Sequence, residues 1–196
     1  MFIQSKNMSV DFFSNYSKNL NLILESADWS SVSVLGQDLK TCWLNGNNVF
    51  LCGNGGSAGN ASHLANDFIY GIAKKKGGGI KSISLSDNSS VITCLANDVG
   101  YEHIFSEQLA VLGKKGDILI ALSGSGNSSN IISVVHEAHS LGIKSHAILG
   151  FDGGECKKIV NNSIHFDIND MQLSEDLQLI VGHMLMKWLY SEKKQF

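Results

Sequence analysis

The chain has 196 residues, 43% hydrophobic and 17% charged, with a formal net charge of -3 and a mean hydropathy of +0.04. That length supports one domain with a substantial core, and the mildly acidic balance argues against broad nucleic-acid binding, which rests on a basic footprint. All 15 basic residues are lysines and there is no proline, so no guanidinium can clamp a phosphate; anions must be held by backbone amides, hydroxyls or lysine.

Cys42, Cys52, Cys94 and Cys156 are widely spaced and form no CxxC pair. This spacing predicts neither a disulfide framework nor a cysteine zinc site, and it suits a reducing, cytoplasmic setting. No basic-then-apolar leader opens the chain, and no run approaches the roughly 18 apolar residues of a membrane span. The expected partners are therefore neither nucleic acid nor membrane.

In chain order, Phe12, Phe13, Tyr16, Leu20 and Ile23 fall at helical spacing within about 9–27, and a second helix is predicted from Ser30 to Leu44 before the turn cluster "NGNN". Beyond it, short apolar runs alternate with helical segments. "NVFLCG" precedes a helix over 57–70, and "IKSISLS" precedes helical stretches through Leu112. "GDILIALSGSG" precedes a helix over 128–140, followed by "IKSHAILG". Near-continuous apolar strands separated by helices predict a doubly wound α/β sandwich on a parallel sheet. A short strand "SIHFDI" and a long helix over 170–190 close the chain. One domain is expected, with N-terminal helices over 1–46, the sheet core over 47–168 and the C-terminal helix over 169–196.

In such sheets ligands bind beyond the carboxyl ends of the strands. Two strand ends there are rich in glycine, serine and asparagine: "GNGGSAGN" from Gly53 and "SGSGNSSN" from Ser123. Glycines let the backbone approach an anion, amides at a helix N-terminus point at it, and hydroxyls donate further bonds. Neither loop carries a Walker lysine or a GxGxxG fingerprint. A tight turn with capping serines would explain either loop alone; two in one sheet favour phosphate binding. His63 and Asp67, four residues apart on the helix leaving the first loop, share a face and suit a metal, an acid/base pair or a simple hydrogen bond. His183 lies among Ile180, Val181, Met184 and Leu185, where a buried structural histidine is the alternative.

"CGNGGSA", "HLAND", "ITCLANDVGYEHIFSEQ", "LSGSGNSSN", "GFDGGE" and "IVGHML" follow the order found in phosphoheptose isomerases, and the stretch 47–189 resembles that family of the sugar isomerase (SIS) fold. The resemblance implies a homotetramer with sites at subunit interfaces and a zinc-assisted ketose-aldose isomerisation of sedoheptulose 7-phosphate or a similar sugar phosphate. Another divalent metal would serve the same ligands. It places substrate contacts at Asn54, Gly55, Gly56, Ser57, Asn88, Ser123, Gly124, Ser125, Ser128 and Glu175. Metal ligation falls on His63, Asp67, Glu175 and His183, and acid/base work on Asp67 and His183. A non-catalytic tetrameric SIS module, binding a sugar phosphate or a protein partner such as a replication initiator, is the alternative within the same fold.

Several positions depart from the pattern. Asp67 replaces a glutamate, Gly124 replaces a threonine between two serines, and a substrate-contacting aspartate is matched to Asn88. Where relatives carry a glutamine and, three residues on, a histidine, this chain has Glu175 and Gln178. Eight helical residues span about 12 Å. Glu175 and His183 therefore share one ion only if their side chains converge, the helix starts later, or different subunits contribute.

Overall fold

The computed structural model describes residues 4–192. Two helices, α1 (Gln4–Ser26) and α2 (Ser30–Asn45), lead into a sheet of β1 (Asn48–Gly53), β2 (Lys81–Ser84), β3 (Ile118–Ser123), β4 (Lys144–Leu149) and β5 (Asn162–His165). Every pairing is parallel and the strand order is β2-β1-β3-β4-β5. Between the strands run α3 (Gly56–Asn66), α4 (Ser89–Asp98), α5 (Ser106–Leu112), α6 (Ser129–Ser140) and the short α7 (Cys156–Ile159), and α8 (Met171–Glu192) closes the described chain. The doubly wound expectation holds, with the order reversing between β1 and β3.

Period-two side chains divide the core between the two sheet faces. Val49, Leu51, Ile118, Ile120 and Leu122 meet Leu35 and Leu39 of α2, Leu64 of α3, and Leu177, Val181 and Leu185 of α8. Phe50, Cys52, Leu119 and Ala121 meet Leu109 of α5 and Ile131, Val134 and Val135 of α6 on the other face. The helix expected over 57–70 is in fact two pieces. α3 gives way to a π turn over Asp67–Gly71, in which Ile72 N–H reaches back five residues to the Asp67 carbonyl at 3.1 Å. Such widened turns recur at functional sites. The four cysteines are free thiols, and Cys42, Cys52 and Cys156 are buried.

α3 and α8 lie side by side on one face because Gly182 of α8 has no side chain: a Cβ there would collide with the Leu64 side chain of α3. The start of α8 is set by Asp170, whose Oδ1 accepts from Leu173 N–H at 3.0 Å. Tyr16 of α1 donates its hydroxyl to Asp176 Oδ2 at 2.6 Å, tying α1 to α8, and this bond pushes the phenol up to about 12.

A polar group sits within the packing of α2 on the sheet. His146 of β4 is fully buried, with Nε2 3.2 Å from Asp38 Oδ2 of α2, while Lys144 Nζ reaches the same carboxylate at 2.7 Å. Asn162 Nδ2 also donates to the Ser31 carbonyl, so it meets His146 Nδ1 as a donor and leaves the ring proton on Nε2, facing Asp38. Burial lowers the imidazole to about 4 against the pull of Asp38. The unfolded chain takes up this proton below about pH 6.5 and the folded chain only at lower pH, so stability falls as pH drops below that point. His146→Gln, which keeps an acceptor for Asn162, is expected to flatten that limb in urea-unfolding curves collected from pH 7 to 4.

Candidate active site

The two glycine-serine loops leave adjacent strands at the point where the strand order reverses, the usual crevice of doubly wound sheets. A cavity of about 280 Å³ lies between them. Asn54, Gly55, Gly56 and Ser57 line it from the first loop, and Ser123, Gly124, Ser125 and Ser128 from the second, while Met171 and Glu175 of α8 close one side. Gly55 adopts a positive φ of 56° as the chain turns into α3, a conformation that excludes most side chains. At Gly56 the Glu175 carboxylate occupies the space a Cβ would fill, so a side chain there would displace it. At Gly124 the corresponding space is taken by the Met171 sulfur.

The hydroxyls are oriented by the protein. Ser123 Oγ accepts from Gly126 N–H at 3.0 Å and Ser125 Oγ from Asn127 N–H at 3.2 Å. Ser57 Oγ accepts from Gln178 Nε2 at 3.0 Å. Each hydroxyl proton is thereby left to point elsewhere. Asn54 Oδ1 accepts from both Asn130 Nδ2 and the Tyr101 hydroxyl at 2.9 Å, while Asn54 Nδ2 donates to Asn130 Oδ1. One Asn54 N–H remains. Apart from the Glu175 carboxylate on one side, a cavity with its serine and Asn54 oxygens consumed as acceptors, its hydroxyl protons free and the N-termini of α3 and α6 at its rim is chemically suited to an anion.

Further along α3, His63 and Asp67 meet His183 of α8. The two imidazole Nε2 atoms are 2.9 Å apart, and each lies 3.6 Å from Asp67 Oδ2. The helix pair brings them together. Zinc bonded to nitrogen and oxygen at about 2.0–2.2 Å in a tetrahedron puts neighbouring ligand atoms roughly 3.3 Å apart, and the observed separations bracket that value. Two imidazoles and a carboxylate therefore fit a divalent ion. The shorter carboxylate of Asp67 reaches the cluster at the start of the π turn. His183 is not the buried structural histidine of the alternative reading, since its side chain is 43% exposed.

Within one chain, two of the matched residues lie away from the groups they were expected to join. Glu175 stays in the loop cavity and does not join the three ligand atoms, because α8 is continuous from Met171 and the rise of eight residues separates it from His183. Asn88 lies outside the cavity. Its Oδ1 caps α4 by accepting from Val91 N–H at 3.2 Å, and its side chain lines a separate groove of about 830 Å³ beside the edge strand β2. Conversely, Asn60, Tyr101 and Asn130 support the cavity and are not singled out by motif, and Gln178, which the motif marks only as a departure from a histidine, supports it as well. Only Gln178 carried a readable signal, one helical turn beyond Glu175.

These placements separate two affinities. Glu175→Gln is expected to leave zinc affinity unchanged while altering phosphate binding, and His63→Ala to weaken zinc at least about a hundredfold, both read by titration calorimetry on the purified chain.

A family profile described as SIS domain matches residues 11–150. Phosphoheptose isomerase of Aliarcobacter butzleri is 35% identical over 148 residues, covering 76% of this chain and 78% of that protein. Phosphoheptose isomerase of a Helicobacter pylori strain is 35% identical over 162 residues, covering 83% and 82%. Among solved structures, a phosphoheptose isomerase from Francisella tularensis superposes with a TM-score of 0.87 at 25% identity, covering 95% of this chain and 98% of that one. With the SIS profile spanning most of the chain and relatives at this identity matched over about four fifths of their own length, the chain belongs to the phosphoheptose isomerase family of SIS-domain proteins.

Proposed function

We propose that this phosphosugar isomerase interconverts sedoheptulose 7-phosphate, or a closely similar ketose phosphate, with its aldose, glycero-manno-heptose 7-phosphate, in the cytoplasm for heptose-containing surface polysaccharide such as lipopolysaccharide. The observation that carries this reading is the pairing, on one pair of helices, of an anion cavity at Ser57 with the His63, Asp67 and His183 cluster. Ser57 and His63 are separated by about 9 Å of helix, comparable with an extended sugar-phosphate chain. A phosphate in the cavity thus leaves the carbonyl end of the sugar near the cluster.

Isomerisation removes a proton from C1 of the ketose, passes through an enediolate, and returns a proton to C2. Asp67 takes the C1 proton on its carboxylate, and the O1 proton passes to O2 in the enediolate. His183 Nε2, 3.6 Å from that carboxylate, is placed to return a proton at C2. Once C2 is protonated, Asp67 hands its proton to His183 across the short gap between them, restoring both groups. The same Nε2 is one of three donors that would hold a divalent ion with His63 and Asp67, so ligation and proton transfer at His183 exclude each other at any instant. When bound, zinc or another divalent ion supplies positive charge that favours the enediolate. Ser57, Ser123, Ser125 and Ser128 hold the phosphate, with Asn54 offering its remaining N–H and the backbone of Gly55, Gly56 and Gly124 allowing close approach.

A homotetramer with sites at subunit interfaces belongs to this proposal. Val10, Phe12 and Phe13 stand exposed on α1, and an apolar face of that kind suits burial against another copy. The half-exposed His63 and His183 leave the cluster open to a neighbouring subunit.

Zinc-loaded protein is expected to convert sedoheptulose 7-phosphate to the aldose and to exchange the C1 proton with deuterated water. Asp67→Asn should lower kcat at least about a hundredfold with the oligomer retained in light scattering. Absence of both turnover and exchange across a panel of ketose phosphates would overturn the reading.

A further inference from the structure

We infer that Asn60 and Gln178 are positioning residues that force the Ser57 hydroxyl to present its proton to the anion cavity, and that this relay sets the cavity's affinity for a phosphate group. The inference deepens the anion-site reading proposed above and rests on it.

The relay starts from an atom that has only one role. The backbone carbonyl of Glu175 can only accept, and Asn60 meets it through Nδ2 at 3.0 Å, which fixes the orientation of the Asn60 amide. The same Nδ2 donates its second hydrogen to Gln178 Oε1 at 3.0 Å. With its oxygen turned to Asn60, Gln178 must turn Nε2 to Ser57, and Ser57 Oγ accepts at 3.0 Å. Gln178 is 1% exposed and Ser57 4% exposed, so bulk water does not compete for these bonds.

Ser57 then keeps one proton. Among the described residues its Oγ takes part only as an acceptor from Gln178, and Ser57 lines the cavity on the first turn of α3. The free hydroxyl proton is available there to an anionic oxygen, beside the amides of the helix N-terminus. Ser123 and Ser125 receive the same treatment from backbone amides, which substitution of a side chain does not remove. Ser57 alone of the three depends on a side-chain relay, and that makes the relay testable.

The test is a double-mutant cycle with inorganic phosphate as the probe, measured by calorimetry on the intact chain. Ser57→Ala and Gln178→Met are each expected to weaken phosphate about tenfold, as befits loss of a charge-assisted hydrogen bond. The double variant should be no weaker than the weaker single, because Gln178 acts only through Ser57. Gln178→His, which can still donate an N–H to Ser57, should restore affinity to within a few fold of the parent. With sugar phosphate, Gln178→Met should raise KM and leave kcat within about twofold. If that variant folds poorly, Asn60→Leu, which frees the Gln178 amide, gives a smaller loss that likewise disappears in the Ser57→Ala background. Parent-like affinity in Gln178→Met, or losses that multiply in the double variant, would overturn the relay. A parent chain with no saturable phosphate binding would instead remove the anion site itself, and the relay with it.

Discussion

The close approach of α3 to α8 is the constraint on which the rest of the site depends. Gly182 leaves room for Leu64, and the two helices then run together with Ser57 against Gln178, Asn60 against Glu175 and Gln178, and His63 against His183. A side chain at 182 would have to displace the buried Leu64 side chain that packs there. The fixed relative position of the two helices comes from burial of Leu64, Leu177 and Val181 against the sheet, so hydrophobic packing holds polar groups in a geometry they would not keep alone.

Along that seam the protein separates two kinds of chemistry. Near the start of α3, protein donors occupy the serine oxygens and the Asn54 oxygen, leaving protons to face the cavity. Two turns on, three electron-pair donors converge without a fixed positive charge among them. The first arrangement complements an anion and the second a cation. Glu175 is the exception, a carboxylate placed among donors, and it faces Gly56 at the helix N-terminus where an anion would otherwise lie. A carboxylate near a helix N-terminus is favoured by the helix dipole.

Much of this was legible in the chain itself. The apolar runs beginning at Val49 and Ile118 gave away a parallel sheet because strands buried on both faces have no polar alternation to confuse the pattern. Glycine-serine punctuation located both loops, and four-residue spacing put His63 and Asp67 on one face. The π turn was not legible, since its five-residue hydrogen bond leaves no distinct apolar period over one turn. Nor was the role of Asn88, where capping of α4 and contact with a ligand call for the same short polar side chain. Within one chain the rise of a straight helix keeps Glu175 with the phosphate loops, a separation that matching motifs along the sequence does not convey.

The sequence by itself determined the order of elements, the two anion loops, and the residue types able to bind metal, because those follow from local periodicity and side-chain chemistry. Only the tertiary structure decided which residues meet. His183 lies 120 residues from His63, and the direction of each hydrogen bond behind Ser57 depends on a backbone carbonyl of another helix. Side-chain partners across such separations are chosen by packing of the helix pair, and no local pattern in the chain encodes that choice.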